Sequence, residues 1–164
     1  MLLTLVSPFP RRHAPALHAW LTTPAAPNFD DFHSSDYANF LYALDAKNAA
    51  GSTFAALENG KPIGFAAIAP ASPVLAFFAG VVIAPGFRGR GLGRELLGLV
   101  WDELQLRGFT KATASFFADN AAIRAAFESA GAVEEGVLKR AAQRAGELVD
   151  MRLYSFTASQ SDKT

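Results

Sequence analysis

Apolar positions change period repeatedly along this chain, and each change predicts an element. Leu2–Val6 is a short apolar run closed by Pro8 and Pro10, which reads as a first strand. From about Arg12 to Thr22, Leu17, Trp20 and Leu21 recur at helical spacing. Thr23–Asn28, with Pro24 and Pro27, reads as a loop. Tyr37, Phe40, Leu41 and Leu44 then form one face of a second helix, which Ser34 or Ser35 can cap and Gly51 closes. Thr53–Glu58 and Ile63–Ala69 flank Asn59-Gly60, the strongest short hairpin signal, and predict two antiparallel strands. After a turn at Pro70–Pro73, Val74–Ala84 is apolar throughout, as a buried central strand would be.

Pro85 and Gly86 stop that strand, and three glycines alternate with three arginines from Arg88 to Arg94. Leu92, Leu96, Leu99, Val100 and Leu104 then recur at helical spacing to about Arg107, before Gly108. Ala112–Phe117 reads as a strand. Asp119 or Asn120 caps a helix through Ile123, Ala126, Phe127 and Ala130, closed by Gly131. Val133–Arg140 and Glu147–Phe156 are the last two strands, turning near Gly146, and residues 159–164 form a tail. The resulting order, β-α-α-β-β-β-α-β-α-β-β, predicts one α/β (α+β) domain over residues 1–158, with helices on both faces of a mixed sheet.

The junction from Val81 to Arg94 carries the chemistry. Glycines let backbone N–H groups converge without side chains in the way. A helix start adds unpaired N–H donors and the positive end of a dipole. Strand, Gly-rich loop and helix therefore make a cradle for an anion, most naturally a pyrophosphate. No Gly-x-x-x-x-Gly-Lys-Ser/Thr run opens at Gly86 or Gly89, which excludes a P-loop. The dinucleotide fingerprint Gly-x-Gly-x-x-Gly fails at Arg94 when counted from Gly89 and at Leu96 when counted from Gly91. The pattern Arg88-x-x-Gly91-x-Gly93, between an apolar strand and an amphipathic helix, resembles the acyl-coenzyme A loop of the GNAT superfamily of N-acetyltransferases. A basic, solvated turn is the plainer alternative.

Charge and composition sharpen this picture. Lys plus Arg and Asp plus Glu each number 15, so the basic loop stands out from a neutral background as a discrete anion site. A neutral chain is a poor general binder of nucleic acid or membrane surfaces. The absence of cysteine excludes disulfides, thiolate metal sites and a cysteine nucleophile, and fits a cytoplasmic protein. The short apolar N-terminus precedes Arg11 and Arg12 instead of following positive charge, unlike a signal peptide. No stretch approaches the ~20 apolar residues of a membrane helix.

A second stretch extends the resemblance. Asn120-x-x-Ile123-x-x-x-Phe127-x-x-x-Gly131-Ala132 is similar to the family's Asn-x-x-Ala-x-x-x-Tyr-x-x-x-Gly-Phe segment, with Ile123, Phe127 and Ala132 as departures. The element order fits the GNAT fold from end to end, which implies a mixed, mostly antiparallel sheet. The C-terminal stretches Glu135–Arg140 and Gly146–Met151 are similar to the branch that includes ribosomal-protein N-terminal acetyltransferases.

The resemblance implies direct transfer of an acetyl group from acetyl-CoA to a primary amine, with no metal. The expected acceptor is a small molecule or a peptide N-terminus, and the expected assembly a monomer or homodimer. It places the coenzyme against Val81, Val82, Ile83, Arg88, Gly89, Arg90, Gly91, Leu92, Gly93, Arg94, Asn120 and Phe127. A backbone N–H at Val81 or Val82 would polarise the thioester carbonyl. It puts the acceptor near Phe32, His33 and Tyr37, where Asp30 and Asp31 would favour a cationic amine. The same resemblance implies a carboxylate base on the central strand or the next one, yet Val74–Ile83 holds no ionisable residue and Ala112–Phe117 offers only Thr113 and Ser115. Phe127 stands where relatives carry a tyrosine acid. Asp30, Asp31, His33, Tyr37, Asp150 and Tyr154 are the remaining candidates for proton transfer. A coenzyme A-binding module without catalysis is the rival reading.

Overall fold

A computed structural model describes residues 3–22 and 36–159 of the chain. Its elements are β1 (Thr4–Val6), α1 (Ala14–Leu21), α2 (Tyr37–Ala49), β2 (Thr53–Glu58), β3 (Lys61–Pro70), β4 (Leu75–Ile83), α3 (Leu92–Leu106), β5 (Lys111–Phe117), α4 (Ala121–Ser129), β6 (Val133–Arg144) and β7 (Glu147–Thr157). The order matches the one read from the sequence, with two 3-10 turns added at Arg11–His13 and Pro85–Phe87.

Three boundaries differ from expectation, each for a local reason. The first helix starts at Ala14 because Pro15, which has no amide hydrogen, belongs in a first helical turn. Asp36 caps α2, its carboxylate accepting from the Ala38 N–H at 3.0 Å. Ser34, Ser35, the loop at 23–28 and the tail beyond residue 159 lie outside the described residues. β6 runs on to Arg144 because a bulge absorbs its irregular stretch. The register passes from Leu138↔Met151 to Ala142↔Val149, so β6 spends two more residues than β7, and Arg140 takes φ 53°.

The strands hydrogen-bond in the order β1-β2-β3-β4-β5-β7-β6. β4 and β5 run parallel, whereas β1–β2, β2–β3, β5–β7 and β6–β7 are antiparallel. The parallel ladder extends from Leu75↔Lys111 to Phe77↔Thr113, and β4 continues past it to Ile83. Among the described residues, no helix is long and apolar enough to cross a membrane.

The chain forms two compact units, Met1–Ala69 with Ala79–Leu96, and Pro70–Phe78 with Leu97–Thr164. In the first, Leu17, Trp20 and Leu21 of α1 and Phe40 and Leu44 of α2 pack with Phe9, Phe65 and Val82. A polar ring ties the connection after β1 to α2 and β2. The Phe9 N–H donates to Thr53 Oγ1 at 2.9 Å, the Thr53 hydroxyl donates to Asn48 Oδ1, and Asn48 Nδ2 donates to the Phe9 carbonyl at 2.9 Å. Closing the ring satisfies polar groups that burial would otherwise leave unpaired. On the other side, a Cβ at Gly64 would sit 3.2 Å from Ile83 Cδ1 and from Leu96 Cδ2, so glycine lets α3 close onto β3.

The second unit is held by rings. Phe127 of α4 meets Phe78 edge-on at 5.5 Å, and Phe116 and Phe156 at 5.6 and 5.9 Å. Trp101 of α3 stacks on Phe156, and Phe116 on Tyr154. Each such pair adds about 0.5–1.5 kcal/mol beyond the area it buries. Thr113 and Ser155, paired across β5 and β7, join their buried hydroxyls at 2.7 Å.

Candidate functional site

In the first unit β4 delivers the chain directly into the Gly-rich loop. The Ala84 N–H donates to the Ile63 carbonyl of β3 at 2.8 Å, and Pro85–Phe87 makes the 3-10 turn. Gly89 and Gly91 follow with φ of 78° and 74°. A Cβ at either would meet no protein atom within 4 Å, so the left-handed backbone, and not crowding, demands glycine. The Gly91 carbonyl accepts from the Glu95 N–H at 3.3 Å and so opens α3. The amides of Leu92, Gly93 and Arg94 are then first-turn donors with no intrahelical acceptor, at the positive end of the helix dipole. Leu92 is buried, so only its amide is on offer. The chemistry of this donor set is that of a cradle for a phosphate-type anion.

The three arginines have separate positions. Arg88 folds back, its Nε donating to the Ile83 carbonyl at 3.3 Å. Arg90 reaches the carboxylate of Glu58 at 3.4 Å and lies over the Phe87 ring at 5.4 Å. Arg94 has no ion-pair partner among the described residues.

The backbone of β4 narrows the choice of carbonyl-polarising amide. Ala79 and Val82 both pack against the cluster formed with α1 and α2, though three residues apart, so the two-residue alternation of β4 breaks once between them. From Val82 to Ala84 it is regular, and both side chains enter that cluster. Since the Ala84 amide points to β3, alternation sends the Val82 amide there too.

The second unit holds Asn120, Phe127, Asp150 and Tyr154. Asn120 caps α4, its Oδ1 accepting from the Ile123 N–H at 3.2 Å. Its neighbour Asp119 grips Arg144 with both oxygens, at 2.9 and 2.6 Å, which pins the turn before α4 to the end of β6. That hydrogen-bonded guanidinium holds the Asp119 carboxyl below the usual carboxylate range. Phe127 is 1% exposed among the rings described above.

Tyr154 and Asp150, two candidates for proton transfer, are engaged in structural contacts. Tyr154 is buried, and its hydroxyl donates to Glu128 Oε1 at 2.6 Å while accepting from Arg124 Nε at 3.0 Å. Burial, followed by the bond to Glu128, pushes its phenol up, away from the range of a base at neutral pH. Asp150 accepts the Arg140 N–H at 2.9 Å and thereby holds the β6 bulge, and that backbone bond lowers its carboxyl. Tyr37 begins α2, with its ring against His18 at 5.3 Å and Phe40 at 6.0 Å. Asp30, Asp31, Phe32 and His33 lie outside the described residues.

Two contacts escaped the sequence reading, the Glu58–Arg90 pair in the first unit and the Asp119–Arg144 clamp in the second. Each joins residues far apart in the chain, 32 and 25 positions, so no local spacing encodes them.

Residues 14–132 match the acetyltransferase (GNAT) family. Among solved structures, the chain is similar to yncA, a putative acetyltransferase from Salmonella typhimurium with its cofactor acetyl-CoA. The identity is 22%, the cover 98% of this chain and 96% of that one, and the TM-score 0.78. It is 26% identical to the ribosomal-protein-alanine N-acetyltransferase of Brucella melitensis, over 96% of this chain and 99% of that one, with a TM-score of 0.77. A chimera of the spermidine N-acetyltransferase SpeG from Vibrio cholerae with hSSAT superposes at a TM-score of 0.83 and 19% identity, over 96% of each chain. No curated protein matches the chain at the sequence level.

Proposed function

From the premise that the chain belongs to the acetyltransferase (GNAT) family, we propose that it transfers the acetyl group of acetyl-CoA to a primary amine, either a small molecule or a peptide N-terminus. The observation that carries this reading is the junction after β4, with its two left-handed glycines and the open first turn of α3. The coenzyme pyrophosphate sits on the amides of Leu92, Gly93 and Arg94, with charge from Arg88 and Arg94. The pantetheine arm runs along the Val81–Ile83 backbone as an added strand would. Val82 directs its amide to β3, so the N–H that polarises the thioester carbonyl is that of Val81. Asn120 completes the coenzyme contacts, whereas Phe127, 1% exposed among its neighbouring rings, is core and not a contact as the resemblance implied. Residues 1–158 act as one catalytic domain, and the absence of cysteine fits a cytoplasmic setting. The Salmonella typhimurium neighbour, solved with acetyl-CoA, supports this co-substrate.

Neither β4 nor the Ala112–Phe117 stretch of β5 carries a carboxylate, and position 127 has no hydroxyl. Positioning the two reactants supplies most of the acceleration, and water takes the ammonium proton. The same observation favours a second reading, a coenzyme A-binding module without turnover. Calorimetry with acetyl-CoA, followed by release of free thiol against a panel of peptide N-termini, polyamines and amino acids, tests both. Binding with amine-dependent thiol release is the expected result. Binding without release for any amine would replace the enzyme by the module, and no binding would end both readings.

A further inference from the structure

The Asn59-Gly60 turn brings the end of β2 and the start of β3 alongside the anion loop. Asn59 and Gly60 have φ of 52° and 77°, the geometry of a tight two-residue hairpin. The flanking residues Glu58 and Lys61 are cross-strand partners. Glu58 meets Arg90 Nη2 at 3.4 Å through Oε1 and 3.5 Å through Oε2, and its side chain is only 12% exposed. Phe87, in the turn that leads into the loop, holds two cations against its ring, Arg90 Cζ and Lys61 Nζ, each 5.4 Å from the centroid. Hairpin, turn and loop are thereby fastened at one ion pair and one ring.

This arrangement divides the labour among three arginines that look equivalent in the sequence. Glu58 offsets the charge of Arg90 and holds one of its nitrogens on the hairpin, so Arg90 presents less net charge to an anion than Arg88 or Arg94 does. Arg88 and Arg94 have no carboxylate partner among the described residues and keep theirs. We propose that Glu58 is a positioning residue for the coenzyme loop: acting through Arg90, it fixes the backbone that presents the Gly91–Arg94 amides to the pyrophosphate. The proposal rests on the reading of that loop as a coenzyme site. It replaces the expectation that all three arginines bind the phosphates.

The test is a double-mutant cycle read by calorimetry with coenzyme A, on the wild type, Glu58→Gln, Arg90→Gln and the double variant. Thermal unfolding of each checks the fold. Each single substitution should raise Kd roughly threefold to tenfold, a modest coupling, and the double variant should be no worse than either. The slope of log Kd against log salt separates positioning from direct contact. It should be unchanged in the double variant, where the net charge of the pair is conserved, and shallower in Arg94→Gln. Additive losses in the cycle, a Glu58→Gln variant that binds as well as or better than wild type, or a shallower slope for the double variant would overturn the proposal. Should Glu58→Gln fail to fold, the swapped pair Glu58→Arg with Arg90→Glu decides, because it keeps both the ion pair and the net charge: recovered affinity is the expected result, and lost affinity in a folded variant would mean that Arg90 touches the phosphates itself. Failure of the coenzyme reading itself looks different, because then the wild type binds no coenzyme A.

Discussion

His13 carries a ring nitrogen, Nε2, that is buried with no hydrogen-bond partner among the described residues. Burial, reinforced by Arg12, lowers its pKa from the usual 6.5. In the unfolded chain His13 takes up a proton near pH 6.5, while the folded protein resists it to lower pH. The unfolded state therefore binds more protons in that window, and stability falls as pH drops below about 6.5. Replacing His13 by Gln removes this contribution. The gap in unfolding midpoint between wild type and variant should narrow from pH 8 to pH 5.5, and a constant gap would show that His13 titrates normally. Phe127 presents a different residue-scale question. Its place in the motif invites Phe127→Tyr as a gain of the missing acid, with an expected rise in kcat. The ring is 1% exposed among Phe78, Phe116 and Phe156, so the new hydroxyl would enter an apolar cluster. An unpaired buried hydroxyl costs about 1–3 kcal/mol. The expected outcome is now a lower melting temperature with kcat within a few-fold of wild type. A variant equally stable and at least tenfold faster would restore the acid role.

At the scale of elements, the strand–loop–helix junction makes the clearest demand. Gly91 has φ 74°, and any side chain there is strained by about 1–2 kcal/mol. Gly91→Glu adds a carboxylate beside the amides that would receive phosphate. It should leave the protein folded and abolish acetyl-CoA binding by calorimetry, and unchanged affinity in a folded variant would remove the loop from the site. Legibility of elements followed the range of the forces that make them. Asn59-Gly60, Gly108 and Gly131 act within their own turn, so the sequence displays them as punctuation, and each has positive φ in the structure. Asp36 was missed as a cap because two serines stood beside it with the same chemistry. The β6 bulge was missed because its cause lies across the ladder, in the carboxylate of Asp150.

For the whole molecule, family and class could be read from the chain because element order and two spaced motifs repeat the same message. The acceptor could not be read, because specificity belongs to side chains brought together from distant segments. A ligand that binds the folded chain and not the unfolded one stabilises it by mass action. A hundredfold excess of acetyl-CoA over Kd should raise the unfolding free energy by about 2.7 kcal/mol and the melting temperature by roughly 5–10 °C. A melting temperature insensitive to acetyl-CoA would mean that the folded state has no site for it.

β6 is the last strand in the sheet order, and almost all of its residues are exposed. An open row of amides and carbonyls of that length is a template on which other chains can stack into aggregates. The bulge interrupts the row. The ladder is irregular already between Glu134 and Gly136; with Arg140 turned to φ 53° and its amide committed inward to Asp150, an arriving strand could follow Gly136–Leu138 and would then meet two cationic side chains, Lys139 and Arg140, where the comb breaks again. The clamp between Asp150 and Arg140 is thus a safeguard of solubility, and a crowded solution is where its loss would be felt.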